Sequence, residues 1–195
     1  MEKLLSFGRK IIPRSVFNFT QPYYHYLLAL TGAIYYRFPA RKLNLIMVTG
    51  TKGKSSVTEI VNAILEESGK KTIIANTIRH KIPGRDEPNK FKMTVQGRWF
   101  LQKLLRDGVK AGATHAVIEM TSEGVKQFRH KFLSPNSLIF TNLSPEHIES
   151  HGSYEKYRDA KLKIAKELER SKKQNKTIVA NGDEKEASKF LAINV

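Results

Sequence analysis

Residues 45–65 place a strand, a glycine-containing loop and a helix in immediate succession, and this order constrains the fold more than any other part of the chain. The apolar run 45–48 is typical of a buried strand, and the apolar residues of 57–65 recur at helical spacing. Gly50 and Gly53 lie between the two patterns, where they allow a close approach of the backbone. The first amides of such a helix attract anions, because the helix dipole favours negative charge there. The segment therefore predicts a phosphate-binding loop.

Within this loop, Lys54 is placed to reach the outer phosphates of a nucleotide, and the Ser55 hydroxyl is placed to hold Mg²⁺. The general phosphate-loop pattern has a glycine five residues before Gly53, where this chain has Val48. A turn with a surface lysine is therefore the alternative interpretation. The ATP contacts predicted from the loop are Thr49, Gly50, Thr51, Lys52, Gly53, Lys54, Ser55 and Ser56.

Strands and helices alternate along the rest of the chain. Apolar patterns predict strands at 45–48, 72–75, 115–120, 138–141 and 177–180, and helices at 54–68, 98–111 and 154–171, with a short helical segment near 123–130. Residues 77–97 are predicted to be a long loop, and no terminal element is predicted after the last strand. The order indicates an α/β fold with a mostly parallel sheet flanked by helices. Ligands of such sheets bind beyond the carboxyl ends of the strands, where Gly50, Glu119 and Asn142 fall.

The composition excludes little by itself. The chain of 195 residues has no cysteine, which excludes disulfides and thiolate metal sites and fits a cytoplasmic protein. Its net charge of +16 is compatible with nucleotide phosphates, an anionic membrane or nucleic acid. Because no nucleic-acid-binding motif accompanies the charge, nucleic acid is not an expected partner.

Residues 1–42 form a basic, aromatic leader in which Pro13, Pro22 and Pro39 are predicted breaks. Its apolar stretch, residues 23–36, is too short for a membrane span and has basic residues on both sides. Two interpretations stay open. The stretch is either a helix packed against the main domain or an interfacial segment on the anionic inner face of a membrane.

Several motifs occur in a fixed order along the chain: Thr-Gly-Thr-Lys-Gly-Lys-Ser at 49–55, Glu-Met-Thr-Ser-Glu-Gly at 119–124, Phe-Thr-Asn-Leu-Ser-Pro-Glu-His at 140–147, His-Gly at 151–152 and Tyr-Arg-Asp-Ala-Lys at 157–161. Together they resemble the central ATP-binding domain of the Mur ligase family, the muramoyl-tripeptide synthetases being the nearest type. The resemblance implies that 43–195 is this domain, cut short. It also implies that the uridine-nucleotide-binding domain and the C-terminal ligase domain are absent.

By this resemblance, the chain belongs to an enzyme that uses ATP and Mg²⁺ to join a muramoyl-peptide carboxylate to an amino acid through an acyl phosphate. Lys54, Lys161 and His147 are the catalytic residues that it implies, and Asn142 joins the ATP contacts. The implied metal ligands are Ser55, Glu119, His147 and a carbamylated Lys161. Thr94 and Ser122 are the implied substrate contacts.

Two alternatives remain. A folylpolyglutamate-synthetase-like ligase shares the fold, but Thr-Ser-Glu-Gly at 121–124 replaces that family's usual signature. The second is a non-catalytic ATP-binding module, which is expected if the natural chain ends at Val195.

Overall fold

The computed structural model describes residues 14–91, 93–94, 97–146 and 148–195. Seven strands form one sheet: β1 (Asn44–Thr49), β2 (Thr72–Ala75), β3 (Arg79–Ile82), β4 (Arg85–Pro88), β5 (His115–Glu119), β6 (Ser137–Phe140) and β7 (Thr177–Ala180). The helices are α1 (Arg14–Tyr35), α2 (Lys54–Glu67), α3 (Arg98–Lys110), α4 (Ser122–Lys126), α5 (Ile148–His151), α6 (Tyr154–Glu169) and α7 (Ala187–Leu191), and a 3-10 helix spans Pro39–Lys42.

The strand order is β4-β3-β2-β5-β1-β6-β7. The five strands β2, β5, β1, β6 and β7 are mutually parallel. The predicted α/β fold with a mostly parallel sheet is thus confirmed. Parallel strands are buried on both faces when helices cover the sheet, which explains their continuous apolar runs. Leu45, Met47, Ile73, Ile118 and Leu138 are all fully buried.

The register of the central strands decides which chemical groups meet. Val48 of β1 lies opposite Glu119 of β5, and Thr49 lies opposite Phe140 of β6. All three strands therefore end at the same edge. This brings the loop at 50–53 beside Glu119 and beside Asn142.

The prediction of a long loop at 77–97 is wrong for its first half. β3 and β4 form an antiparallel hairpin that extends the sheet, with Gly84 in the turn at φ 81°. The charged side chains that interrupt the apolar pattern of these strands form ion pairs. Arg79 pairs with Glu59 at 2.6 Å and also with Asp86, and Lys81 pairs with Glu66 at 2.6 Å. Because ion pairs satisfy these groups at the sheet edge, the strands form without an apolar pattern.

The predicted break at Pro22 is also wrong, because α1 continues through this residue. A proline inside a helix removes one hydrogen bond and costs about 3 kcal/mol. The turns that follow Pro22 pack on the body of the protein, where Ala29 and Ala33 are buried, and this contact offsets the cost. This packing agrees with the first of the two interpretations given for residues 23–36, a helix packed against the main domain. A short helix, α7, also follows β7, where no terminal element was predicted.

Candidate functional site

The loop between β1 and α2 depends on its two glycines for different reasons. A Cβ at Gly50 would lie 1.9 Å from the Thr141 hydroxyl, so no side chain fits between this loop and the end of β6. Gly53 has open space around it but adopts φ 76° at the N-cap of α2, a conformation that favours glycine. The loop therefore turns sharply and presents the first amides of α2, at Lys54, Ser55 and Ser56. These amides have no acceptor within the helix and suit an anion.

Asn142 fixes the shape of this loop. Its Oδ1 accepts hydrogen bonds from the amides of Thr51 (3.1 Å) and Lys52 (2.8 Å), and its Nδ2 donates to the Lys52 carbonyl at 3.0 Å. The Thr141 hydroxyl donates to the same carbonyl at 2.9 Å. The loop is thus held to the end of β6 by side chains more than eighty residues away in sequence.

The hydroxyls of Thr49 and Thr51 form hydrogen bonds with other groups of the protein. Thr49 donates to the Met120 carbonyl at 3.0 Å, which joins the ends of β1 and β5. The Thr51 hydroxyl lies 3.1 Å from the Tyr157 hydroxyl and accepts from the Ser144 amide at 3.0 Å. Both threonines are buried, so their hydroxyls hold the loop in place, and their contact with ATP stays a prediction.

Ser55 and Glu119, two of the implied metal ligands, are in direct contact. The Ser55 hydroxyl donates to Glu119 Oε2 at 2.7 Å, and the same oxygen accepts from the Thr77 amide at 3.1 Å. Glu119 is 2% exposed. A hydroxyl and a carboxylate in contact at a helix N-terminus are oxygen donors of the kind that Mg²⁺ prefers. The residues present therefore fit a magnesium ion.

Lys54 lies folded over the loop that it follows. Its amine donates to the Thr51 carbonyl at 2.8 Å and lies 3.9 Å from Glu119 Oε1. Burial lowers the pKa of Lys54, while the charges of Glu119 and Glu146 oppose that shift. A partly desolvated ammonium beside the helix N-terminus is suited to a phosphate, which would replace its contact with Thr51.

Lys161 comes from α6 and enters the same site from the other side. Its side chain is 1% exposed, its amine donates to the Gly50 carbonyl at 2.6 Å, and it lies 4.8 Å from the centre of the Tyr157 ring. Burial, and secondly the charge of Lys54, lower the pKa of Lys161 to about 7, although Glu119 acts in the opposite direction. The neutral amine is therefore more accessible here than at an exposed lysine, and the neutral form is the one that adds to carbon dioxide.

His147, the remaining catalytic and metal-ligand prediction, lies outside the described residues. Its neighbour Glu146 forms a surface ion pair with Lys52 at 3.0 Å, across the mouth of the loop. In the part of the chain that the structure describes, no three histidine or carboxylate side chains form a metal-binding group. Of the implied metal ligands, Ser55 and Glu119 are in contact with each other, and Lys161 bonds the Gly50 carbonyl of the same loop.

The two predicted substrate contacts, Thr94 and Ser122, have different surroundings. The Thr94 hydroxyl accepts from the Thr77 hydroxyl at 2.9 Å, and the Thr77 hydroxyl lies 3.2 Å from Glu119 Oε2. Thr94 is therefore one residue removed from the carboxylate. The Ser122 hydroxyl is buried and lies 3.0 Å from His151 Nε2, which in turn lies 3.4 Å from Glu123.

Sequence reasoning missed a pair of buried arginines beside the Thr94 segment. Arg98 donates to the Gln127 carbonyl and contacts His25 Nδ1, both at 2.6 Å, while Arg129 contacts Gln127 Oε1 at 2.6 Å and Met93 Sδ at 3.5 Å. Among the described residues, no carboxylate forms a salt bridge with either guanidinium. Burial lowers the pKa of both, that of Arg98 to about 10. Arg98 stands on the buried face of α3 with Leu101 and Leu105, and an arginine in an apolar stripe is the signal that could have identified it.

Two desolvated guanidinium groups, neither of which forms a salt bridge with a carboxylate of the described residues, form an environment suited to an anionic group of a substrate. The sequence motifs did not include either residue, because their proximity depends on how α1, α3 and the segment after α4 pack together.

Comparison with known proteins agrees with this geometry. The profile of the Mur ligase middle domain matches residues 48–194. The chain is 34% identical over 140 residues to UDP-N-acetylmuramoyl-L-alanyl-D-glutamate--2,6-diaminopimelate ligase 2 of Clostridium acetobutylicum, covering 71% of this chain and 29% of that protein. It is 32% identical over 172 residues to the UDP-N-acetylmuramyl-tripeptide synthetase of Roseiflexus sp., covering 84% of this chain and 34% of that protein. The chain thus spans about a third of the length of these relatives.

Solved structures show the same fold. A UDP-N-acetylmuramoyl-L-alanyl-D-glutamate--2,6-diaminopimelate ligase superposes with a TM-score of 0.63 at 28% identity, over 76% of this chain and 28% of that one. The folylpolyglutamate synthase of Mycobacterium tuberculosis, complexed with ADP and AMPPCP, superposes with a TM-score of 0.61 at 16% identity, over 85% of this chain and 43% of that one. The second likeness concerns the fold alone. Because the profile match spans most of the chain and keeps the motifs in their order, this protein belongs to the Mur ligase family.

Proposed function

We propose that this chain is the nucleotide-binding part of an ATP-dependent ligase that joins a carboxylate to an amino acid, acting in the cytoplasm in peptidoglycan precursor synthesis. The observation that carries the proposal is the convergence of Lys54, Ser55, Glu119 and Lys161 around the loop at Gly50. Backbone amides placed for phosphate, an oxygen donor pair, a buried amine and a partly buried amine at one sheet edge are the parts that phosphoryl transfer requires.

In the proposed reaction, a substrate carboxylate oxygen attacks the γ-phosphorus of ATP, forming an acyl phosphate and releasing ADP. The amine of the incoming amino acid then attacks the acyl carbon, the amide bond forms, and inorganic phosphate leaves as the amine loses a proton. Lys54 and the first amides of α2 would bind the phosphates, and Ser55 and Glu119 would hold Mg²⁺. The ion, when bound, neutralises charge on the transferred phosphoryl group.

The burial of Lys161 supports the role that the family resemblance implies for it. Carbamylation would convert a desolvated cation, which is costly beside Lys54, into an anion that pairs with Lys54 and with metal ions. His147 is proposed to complete the metal site. Thr94 and Ser122 are proposed to contact a muramoyl-peptide-type substrate, and Arg98 and Arg129 to neutralise an anionic group of that substrate.

Further parts of the enzyme are proposed outside the described fold. We propose the division into residues 1–42 as a leader and 43–195 as the central domain, and we propose that the incoming amino acid binds to a ligase domain outside these residues. The curated relatives are about three times as long as the matched segment, which supports this proposal. Contact between residues 1–42 and an anionic membrane is proposed as well.

Amino-acid-dependent release of phosphate from ATP, measured with the full natural protein across a panel of acceptors, tests the function. We expect release with a muramoyl-dipeptide acceptor and none with a folate acceptor, whereas the reverse would support the folylpolyglutamate-synthetase-like alternative. Binding of ATP without release in any combination would support a non-catalytic module and overturn the ligase proposal.

The metal-site assignment has its own test in Lys161→Ala. This substitution should abolish phosphate release, and short carboxylic acids should restore part of it by replacing the missing carbamate. Lys156→Ala is the matched control, because Lys156 is exposed on the same helix. Unchanged activity of Lys161→Ala would refute the role of Lys161.

A further inference from the structure

Helix α1 carries a continuous apolar stripe that faces away from the protein. Val16, Phe19, Tyr23, Leu27 and Ile34, together called the apolar ridge, are spaced by three, four or seven residues and therefore share one face of the helix. Their exposed fractions lie between 48% and 70%. Residues 15–36 contain no Asp, Glu, Lys or Arg, so the ridge has no charge along it. Contiguous exposed apolar surface of this kind marks an interaction site.

The opposite face of α1 fixes the orientation of the ridge. Ala29 and Ala33 are buried, a Cβ at Gly32 would lie 3.1 Å from the Trp99 ring, and His25 contacts Arg98. These contacts attach the helix to α3. The apolar ridge consequently stands on the outer surface of the protein.

Cations border the C-terminal end of this helix. A cavity of about 400 Å³ lies beside Tyr35 and Tyr36, and its charged lining is Arg37, Lys103, Arg106, Lys110 and Asp107. Lys103 and Asp107 form an ion pair at 2.6 Å, which leaves three positive charges in excess.

Cations also border the side of the helix on which Tyr26 lies. The Tyr26 ring packs on Phe128 at 5.9 Å and on Phe132 at 5.5 Å between ring centres, and each of these phenylalanines lines a further cavity. The charged lining of the cavity at Phe128, about 330 Å³, is Lys126, Lys131, Lys163, Lys166 and Arg170. The charged lining of the cavity at Phe132, about 470 Å³, is Arg41, Arg170, Lys172, Lys173 and Glu167. Glu167 is paired with Lys131 at 2.6 Å.

We propose that this face, the apolar ridge with the three basic cavities beside it, docks on the surface of an anionic phospholipid bilayer. The ridge would enter the interfacial region, where exposed aromatic and aliphatic side chains gain most, and the cavities would receive lipid phosphates. An uncharged ridge bordered by cations on two sides matches an apolar layer beneath a negatively charged surface. No helix in the described ranges is long and apolar enough to cross a membrane, which agrees with a helix that lies on the surface. The surface extends the contact of residues 1–42 to α3, α4 and α6, and it does not depend on the ligase reaction.

Trp99 provides a direct measurement. It is the sole tryptophan of the chain, it is 38% exposed, and its ring lies 5.1 Å from that of Tyr35 and 5.9 Å from that of Tyr36. Titration with vesicles of phosphatidylcholine plus phosphatidylglycerol should shift its emission to shorter wavelength and should sediment the protein. Vesicles of phosphatidylcholine alone should bind far more weakly. Equal binding to both kinds of vesicle, or binding to neither, would overturn the proposal.

Variants separate the two parts of the surface. Tyr23→Glu with Leu27→Glu should abolish sedimentation with anionic vesicles, whereas Ile64→Glu, at an exposed apolar residue of α2, should leave it unchanged. Arg106→Gln with Lys110→Gln should weaken binding about fivefold for each charge removed. Lys70→Gln with Lys90→Gln, which changes the net charge equally at exposed positions elsewhere, should weaken it much less.

The same variants show whether something other than a lipid bilayer binds to this face. Dimerisation of the lipid-free protein that Tyr23→Glu with Leu27→Glu abolishes, without any vesicle binding by the wild type, would assign the ridge to a second copy and overturn the proposal. Equal loss of vesicle binding in both charge-matched pairs would show attraction by net charge alone, and would overturn the basic cavities as lipid sites. Circular dichroism of each variant shows whether the fold is retained, and a ridge variant that unfolds is replaced by Phe19→Gln, for which the same loss is expected.

Discussion

The phosphate-loop edge of the sheet and the outer face of α1 are built on opposite principles. At the loop edge, polar side chains are buried and each is held by partners distant in sequence, as Glu119 is by Ser55 and Thr77. On α1, apolar side chains such as Phe19 and Tyr23 are exposed. The first arrangement suits a small charged ligand that must be placed accurately, and the second suits a broad, deformable surface.

The contrast has an energetic consequence. Buried polar groups are costly unless every partner is in place, so a change at the loop edge that separates such a group from its partners should affect both stability and ligand binding. An exposed apolar side chain contributes little to folding, so a change on the ridge should affect only association. Four measurements test this difference, beginning with the largest expected effect.

Gly50→Ala should be the most disruptive single substitution at the loop edge. Its Cβ would lie 1.9 Å from the Thr141 hydroxyl, so β6 and the loop would have to separate. We expect a loss of about 3 kcal/mol in the free energy of unfolding, at the upper end for overpacking, together with loss of ATP binding. Denaturant unfolding measures the first and calorimetric titration the second. Gly182→Ala, where a Cβ meets no atom within 4 Å, is the control, and equal effects of the two would contradict the packing argument.

Lys54→Met should separate binding from stability at the same edge. We expect the affinity for MgATP to fall about a hundredfold, because a charge-assisted contact with phosphate is lost. The free energy of unfolding should stay constant or rise, because burial already lowers the pKa of Lys54 and the methionine has no charge to desolvate. Lys70→Met removes the same charge from an exposed side chain beyond the other end of α2, and should change affinity much less. Similar affinities of the two variants would contradict a phosphate contact for Lys54.

Substitutions at two adjacent residues of α1 should differ in their effect on the free energy of unfolding, and this difference tests the two faces of the helix. Ala33 is fully buried, and Ala33→Leu should destabilise the protein by about 2 kcal/mol through overpacking. Ile34 is 56% exposed, and Ile34→Ala should change the free energy of unfolding by less than about 0.5 kcal/mol. Thermal unfolding of both variants measures the difference. A larger loss for Ile34→Ala would mean that the ridge is part of the folding core.

His130→Gln should flatten the dependence of stability on pH beneath the α1 face. His130 is 3% exposed, and burial, with the charges of Lys131, Lys163 and Arg170, lowers its pKa to about 3. Between pH 6.5 and about 3 the unfolded chain binds a proton at this residue that the folded chain does not, so stability falls as the pH falls. The contribution is about 1.4 kcal/mol per pH unit at most. Urea unfolding between pH 6.5 and 5 should show a shallower slope for the variant, and an unchanged slope would refute the buried neutral imidazole.

Much of the fold followed from pattern alone. The strands 72–75 and 177–180 lie where their β-branched runs placed them, and α2 begins at Lys54 as the glycine loop predicted. The hairpin of Arg79–Ile82 and Arg85–Pro88 was not predicted, because its strands carry charged residues. In the folded chain these residues pair with partners in helix α2, such as Glu59 and Glu66. Helix α1 continues through Pro22 for a related reason, because its packing on the body of the protein outweighs the tendency of proline to end a helix.

The candidate site divides in the same way. Local sequence identified Lys54 and Ser55, because a loop and the helix that follows it are adjacent in the chain. The resemblance to a family added Glu119 and Lys161, whose roles no short segment reveals. Arg98 and Arg129 were missed, because two arginines thirty-one positions apart give no sign that they will share a buried space.

The order of motifs and the local spacing of residues were enough to establish the alternation of strands and helices, the position of the glycine loop and the family. The packing of the folded chain was needed to show that Asn142 shapes that loop, that the Lys161 amine is desolvated against Gly50, and that one face of α1 stays outside the core. Burial and hydrogen bonding between distant residues depend on strand register and helix packing. Those quantities belong to the folded chain as a whole, and no window of sequence contains them.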